Sequence, residues 1–108
     1  MKQLEEGLLG INKDMMSKII IAYEPVWAIG TGETATPKDA SLAHETLRER
    51  LSQSLGTERA RSVAILYGGS VKPSNAGALL STANVDGVLV GGASLDPRSF
   101  AEIAAAAL

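Results

Sequence analysis

The chain reads as a single α/β domain, residues 1–108, built on a parallel sheet. Three features predict this. Short apolar runs without polar alternation lie at residues 19–23, 63–67 and 87–90, the pattern of strands buried on both faces. Helical patterns follow each run. Each run also ends in a proline or a glycine pair, which marks where the strand must stop. Strands alternating with helices imply βαβ units joined by right-handed crossovers.

Taken in order, residues 2–9 are weakly helical, with Leu4 and Leu8 one turn apart and no convincing N-cap. Residues 10–13 break that helix. Ile19-Ile20-Ile21-Ala22-Tyr23 is the first strand, and Pro25 stops it and biases Glu24 toward extended backbone. A long connection over residues 25–36 carries Gly30 and Gly32 together with Trp27 and Ile29. Apolar residues in such a loop imply that it packs down on something. Thr36, Pro37 and Asp39 form a helix start of the capping-box kind. Ala40, Ala43, Leu47 and Leu51 mark the inner face of that helix, and Gly56 its end. Val63-Ala64-Ile65-Leu66-Tyr67 is the second strand, ended by Gly68-Gly69-Ser70. A short helix over residues 74–81 precedes the third strand, Asp86-Gly87-Val88-Leu89-Val90, which Gly91-Gly92 ends. Asp96 caps the last helix, Pro97 starts it, and Phe100, Ile103 and Ala107 line its inner face.

Composition removes several classes of function. The formal net charge is -2, from 10 basic and 12 acidic residues, which gives no electrostatic reason to expect nucleic acid or an anionic membrane as partner. There is no cysteine, so disulfides and thiolate chemistry are excluded. The single histidine, His44, rules out a multi-histidine metal site within one chain. No stretch has the pattern of a signal peptide or a membrane span, so the expected location is the cytoplasm.

Function in βαβ architectures collects at the C-terminal ends of the strands. Two of these three ends are glycine pairs, and Gly30 adds a third glycine-bearing segment. Glycine lets backbone N–H groups approach an anion closely, and phosphate is the usual anion. Each pair alone is better explained by a tight turn, whereas three such segments on one rim tilt the balance to phosphate. Glu24 is the one carboxylate placed directly at a strand end on that rim. A lid containing Trp27 and Ile29 that closed over it would remove water, disfavour its charged form and strengthen it as a base. Proton abstraction next to a carbonyl suits such a group. The nucleotide-binding patterns fail: G-x-x-x-x-G-K-S/T is absent, and Ala35 stands where G-x-G-x-x-G needs its third glycine.

These residues together resemble one family. The stretch Ala22-Tyr23-Glu24-Pro25-Val26-Trp27-Ala28-Ile29-Gly30-Thr31-Gly32 is similar to the sixth strand and lid of triosephosphate isomerase. Tyr67-Gly68-Gly69-Ser70-Val71 is similar to the end of its seventh strand, and residues 86–95 to its eighth. The resemblance implies a partial (β/α)8 barrel of three parallel strands, running from the end of the fifth helix through the eighth. It implies that Glu24 shuttles a proton between the two carbons that interconvert dihydroxyacetone phosphate and glyceraldehyde 3-phosphate, a step of glycolysis and gluconeogenesis. Gly30, Ser70, Gly91 and Gly92 would donate backbone N–H groups to the substrate phosphate. Pro25, Val26 and Trp27 would form one lid hinge and Glu33, Thr34 and Ala35 the other, with Ala28, Ile29, Thr31 and Gly32 between them. Tyr67 and Ser70 would hold the closed lid. No metal or cofactor is implied.

The family also uses a lysine, an asparagine and a neutral histidine that these residues do not supply. His44 lies in the helix after the lid and is expected to make local contacts rather than to replace that histidine. The isolated chain is therefore expected to turn over little substrate, or to be a structural piece of a barrel without ligand function, and to self-associate through open sheet edges. At Asn84 the family commonly has an acid, and Arg48 is the expected partner of that position.

Overall fold

The computed structural model describes residues 2–11, 15–25 and 36–107. Helix α1 (Lys2–Gly7) leads through a 3-10 turn (Met15–Lys18) into strand β1 (Ile20–Tyr23). Helix α2 (Pro37–Leu55) and the short helix α3 (Thr57–Ser62) precede β2 (Ala64–Gly69). Helix α4 (Pro73–Leu80), β3 (Gly87–Val90), a second 3-10 turn (Gly92–Leu95) and α5 (Pro97–Ala105) complete the order. The strands form one open parallel sheet, β1-β2-β3, as expected.

Helix starts follow the expected chemistry. The Thr36 hydroxyl accepts from the Asp39 N–H at 3.1 Å, and the Asp39 carboxylate accepts from the Thr36 N–H at 3.3 Å. That pair satisfies two backbone donors that a helix start would otherwise leave open. At α5, the Asp96 carboxylate accepts from the Ser99 hydroxyl and N–H, and these bonds hold it below its ordinary acid range. Gly56 ends α2 with φ of 89°, a left-handed conformation that glycine adopts without a Cβ clash. It also starts α3, an element without a sequence signal of its own.

The core lies between the helices and one face of the sheet, in two clusters. Leu47, Leu51, Ala60, Val63 and Ile65 form one, flanked by Leu4 and Leu8. Tyr67, Val71, Ala76, Leu79, Val85 and Ile103 form the heart of the other. Side chains alternate across a strand, so Ile65 and Tyr67 point to the helices and Leu66 and Gly68 to the opposite face. The expectation that the strands are buried on both faces is therefore half met. On the uncovered face Ile20 is 66% exposed and Leu89 45%. Among the described residues, only the helix-facing side has a covering layer. Two further expectations are corrected at α5. Phe100 is 45% exposed and Ala107 lies exposed beyond the helix end, so Ile103 alone is buried there.

Candidate active site

The sheet register builds the site. Tyr23 pairs with Tyr67, and Gly69 with Val90. One step beyond Tyr23, Glu24 is level with Gly68. The Gly69–Val90 pair is the last of its ladder, so the turns that begin at Ser70 and at Gly91 leave the sheet on the same rim. The C-terminal rim thus carries, side by side, the carboxylate of Glu24, the turn Gly68-Gly69-Ser70 and the turn Gly91-Gly92. Glu24 is exposed and the following Pro25 buried, so the proline anchors the point where the chain leaves the strand.

Contact between the first two segments is close. A Cβ built on Gly68 would lie 2.6 Å from Glu24 Cγ and 3.3 Å from its Oε1. The acidic side chain therefore leans over the backbone of β2. A Cβ on Gly69 would lie 2.5 Å from the Tyr67 Oη, because the Tyr67 ring occupies the space beside residue 69. Tyr67 itself is fully buried.

The turn after β2 is tied by Asn75, whose role the sequence reading missed. Its Oδ1 accepts from the Lys72 N–H at 2.7 Å, and its Nδ2 donates to the Ser70 carbonyl at 2.8 Å. The signal was available: Asn75 is the third residue of a helix opened by Pro73, a position that reaches back to the cap. In the turn after β3, the Gly91 carbonyl accepts from the Ser94 N–H at 2.9 Å and from its hydroxyl at 2.6 Å. Gly91 and Gly92 are exposed, and a Cβ on either would meet nothing within 4 Å.

His44 is in α2, as expected, but its contacts are not local. It is fully buried, and its Nδ1–H donates to the carbonyl of Asn84 at 3.1 Å. Its ring meets Tyr23 edge-on, with centroids 5.8 Å apart. Nε2 is buried and has no partner among the described residues. Burial pushes the His44 pKa below its ordinary value, which favours the neutral ring, and the ring braces the residue before Glu24. Burial likewise raises the Tyr23 phenol, with Tyr67 adding to the effect. Asn84 holds a left-handed φ of 70°, which asparagine tolerates better than most residues.

Arg48 does not pair with Asn84 as expected. Its Nη2 donates to Asp86 Oδ2 at 2.6 Å, while Nη1 donates to the carbonyls of Ala60 and Val63 at 2.7 and 2.9 Å. Asp86 Oδ2 also accepts from the Ile65 N–H at 2.8 Å. The residue two places further on thus supplies the acid, because it stands where β3 meets the start of β2. This cluster lies at the end of the sheet opposite Glu24.

An open groove of about 730 Å³ runs along the free edge of β1, lined by Leu4, Leu8, Ile20, Ala22, Glu24, Pro25 and Leu47 among others. Among the described residues, it meets the rim through Glu24 and Pro25. Among the described residues, no group of acidic and histidine side chains is placed to hold a metal ion. The remaining expected site residues, Val26, Trp27, Ala28, Ile29, Gly30, Thr31, Gly32, Glu33, Thr34 and Ala35, lie outside the described residues.

A parallel three-stranded sheet with an acid and two glycine turns on one rim suits several barrel enzymes, and comparison with known proteins decides among them. The family model described as triosephosphate isomerase matches residues 1–107. The chain belongs to the triosephosphate isomerase family. It is 54% identical over 101 residues to the triosephosphate isomerase of Solibacter usitatus, covering 94% of this chain and 41% of that protein. The Flavobacterium johnsoniae enzyme is 53% identical over 104 residues, covering 96% of this chain and 42% of its own length. That of Alkalilimnicola ehrlichii is 52% identical over 102 residues, with 94% and 41% covered. The chain thus spans about two fifths of the length of these curated relatives, and its open sheet is part of the triosephosphate isomerase barrel. Among the described residues, no helix is long and apolar enough to cross a membrane.

Proposed function

We propose that these residues carry the base and the phosphate-binding rim of a triosephosphate isomerase. The observation that supports this best is that Glu24 leans over Gly68, while the Gly69–Val90 pairing brings the turns at Ser70 and Gly91 to the same rim. Glu24 takes a proton from the carbon next to the substrate carbonyl and returns it to the neighbouring carbon, which is the established chemistry of the family. The backbone N–H groups of Gly30, Ser70, Gly91 and Gly92 face the phosphate of dihydroxyacetone phosphate or glyceraldehyde 3-phosphate. The segment from Pro25 to residue 35 closes over it, and Tyr67 and Ser70 hold it closed. The reaction needs no cofactor. It belongs to glycolysis and gluconeogenesis, and the chain works in the cytoplasm.

Turnover needs more than these 108 residues supply. The family's lysine, asparagine and neutral histidine have no counterpart here, and His44 is committed to Asn84 at 3.1 Å. Each positioned catalytic group contributes about 10²–10⁴-fold, so these residues alone retain phosphate affinity with little isomerase activity. Alone, they also fold as one domain and self-associate through the free edges of β1 and β3, where Ile20 and Leu89 stand exposed.

Titration of the chain with 2-phosphoglycolate, followed by Trp27 fluorescence, tests the proposal. A saturable change that Gly91→Val abolishes is the expected result. No change at millimolar ligand would leave a structural barrel piece without ligand function.

A further inference from the structure

We propose that Gly68 is a positioning residue for Glu24: the missing side chain at residue 68 is the seat that sets where the carboxylate lies. This rests on the reading of Glu24 as the base. Residues level with each other on adjacent parallel strands project to the same side of the sheet, with the strands about 4.8 Å apart. Glu24 and Gly68 are such a pair, one residue beyond the Tyr23–Tyr67 pairing. With any side chain at residue 68, two side chains would compete for one volume. With glycine, the Glu24 side chain takes that volume, and its Cγ, Cδ and Oε1 are the three atoms nearest to a Cβ placed there, at 2.6, 3.3 and 3.3 Å.

Two details separate this role from a backbone requirement. Gly68 is not among the glycines with positive φ, which in the described residues are Gly10 and Gly56. Alanine is therefore compatible with its backbone. The nearest obstacle to the new methyl is also the middle of an exposed, flexible acidic side chain rather than packed core. A methyl at residue 68 thus leaves the fold intact and pushes the carboxylate away from β2. The neighbouring glycine behaves in the opposite way. A methyl at residue 69 meets the Tyr67 Oη at 2.5 Å and Cζ at 2.9 Å, and that ring is fully buried. Gly69→Ala therefore damages the fold.

The test has a structural and a kinetic arm. In the isotopically labelled chain, Glu24 Hγ to Gly68 Hα cross-peaks report the contact. In Gly68→Ala the Glu24 side-chain resonances shift, while those of Ile65 and Tyr67 and the unfolding midpoint stay in place. In a complete barrel, these residues following the N-terminal part of the Solibacter usitatus relative, Gly68→Ala lowers kcat about 10²-fold, the usual cost of a 1 Å misplacement, and leaves KM unchanged. Glu24→Asp shortens the side chain, so Gly68→Ala adds little further loss in that background. A Gly68→Ala barrel with unchanged kcat, or losses that multiply fully in the double variant, overturns the proposal. If the unsubstituted barrel is inactive, the reading of Glu24 as the base fails instead, and the cross-peaks still decide whether Gly68 seats its side chain.

Discussion

Arg48 Nη2 donates to Asp86 Oδ2 at 2.6 Å, across 38 residues of sequence. The same guanidinium closes on the carbonyls of Ala60 and Val63, and the same carboxylate oxygen accepts from Ile65. One cation and one anion thus join α2, the end of α3, β2 and the start of β3. Arg48 is 15% exposed and Asp86 43%, so the pair is worth more than a free surface bridge, chiefly through the backbone groups it satisfies.

Arg48→Met keeps the stem of the side chain and removes every donor. The two carbonyls and the Asp86 carboxylate then lose a charged partner. A loss of about 2–3 kcal/mol in urea unfolding is expected. Asn84→Gly, which suits the left-handed backbone at that position, serves as the contrast, because the Asn84 side chain is not Arg48's partner. A cost below about 0.5 kcal/mol for Arg48→Met, within the range of ordinary surface changes, would show that the cluster is dispensable.

Stability should fall on mild acidification through His44. Its folded pKa is below the ordinary value because burial disfavours the charged ring. The unfolded chain then binds a proton before the folded one does. The contribution is complete above about pH 6.5, the ordinary histidine value. It is lost as the pH falls from there through the depressed folded value. Urea midpoints measured from pH 7.5 down to pH 5 should fall more steeply for the unsubstituted chain than for His44→Gln, which has no proton to gain. Parallel profiles would contradict the assignment.

Asn75 fixes the turn that presents Ser70. Asn75→Ala removes the acceptor for the Lys72 N–H and the donor to the Ser70 carbonyl. About 1–2 kcal/mol of stability should go with them. Affinity for 2-phosphoglycolate should weaken as well, since Ser70 lies on the phosphate rim. Asn75→Asp keeps the acceptor alone and should recover the cap but not the tie to Ser70. Calorimetric titration of the three chains checks this, and equal affinities would place Ser70 outside the rim.

Much of the fold was legible because its signals are local. Pro25 and the glycine pairs 68–69 and 91–92 punctuate apolar runs, and Thr36, Asp39 and Asp96 are caps whose partners lie three residues away. What escaped the sequence depends on distant neighbours. Helix α3 lacks a cap signal and exists because Ala60 packs into the cluster under Leu47 and Leu51. Asp86 rather than the position of Asn84 meets Arg48, a choice of register that two acceptors two residues apart leave open on paper. His44 proved a long-range brace, since its partners Tyr23 and Asn84 are 21 and 40 residues away. The acid and the rim glycines were readable by type, whereas the use of Gly68 as a seat for Glu24 needed the pairing of β1 with β2.

The central claim is that Glu24 is the base of an isomerase whose other strands complete the site. It is tested most directly by the isomerase kcat of the complete barrel containing these residues, measured with Glu24 and with Glu24→Gln. The account predicts that kcat falls by about 10²–10⁴-fold or more, with KM little changed. An unchanged kcat in Glu24→Gln would contradict it.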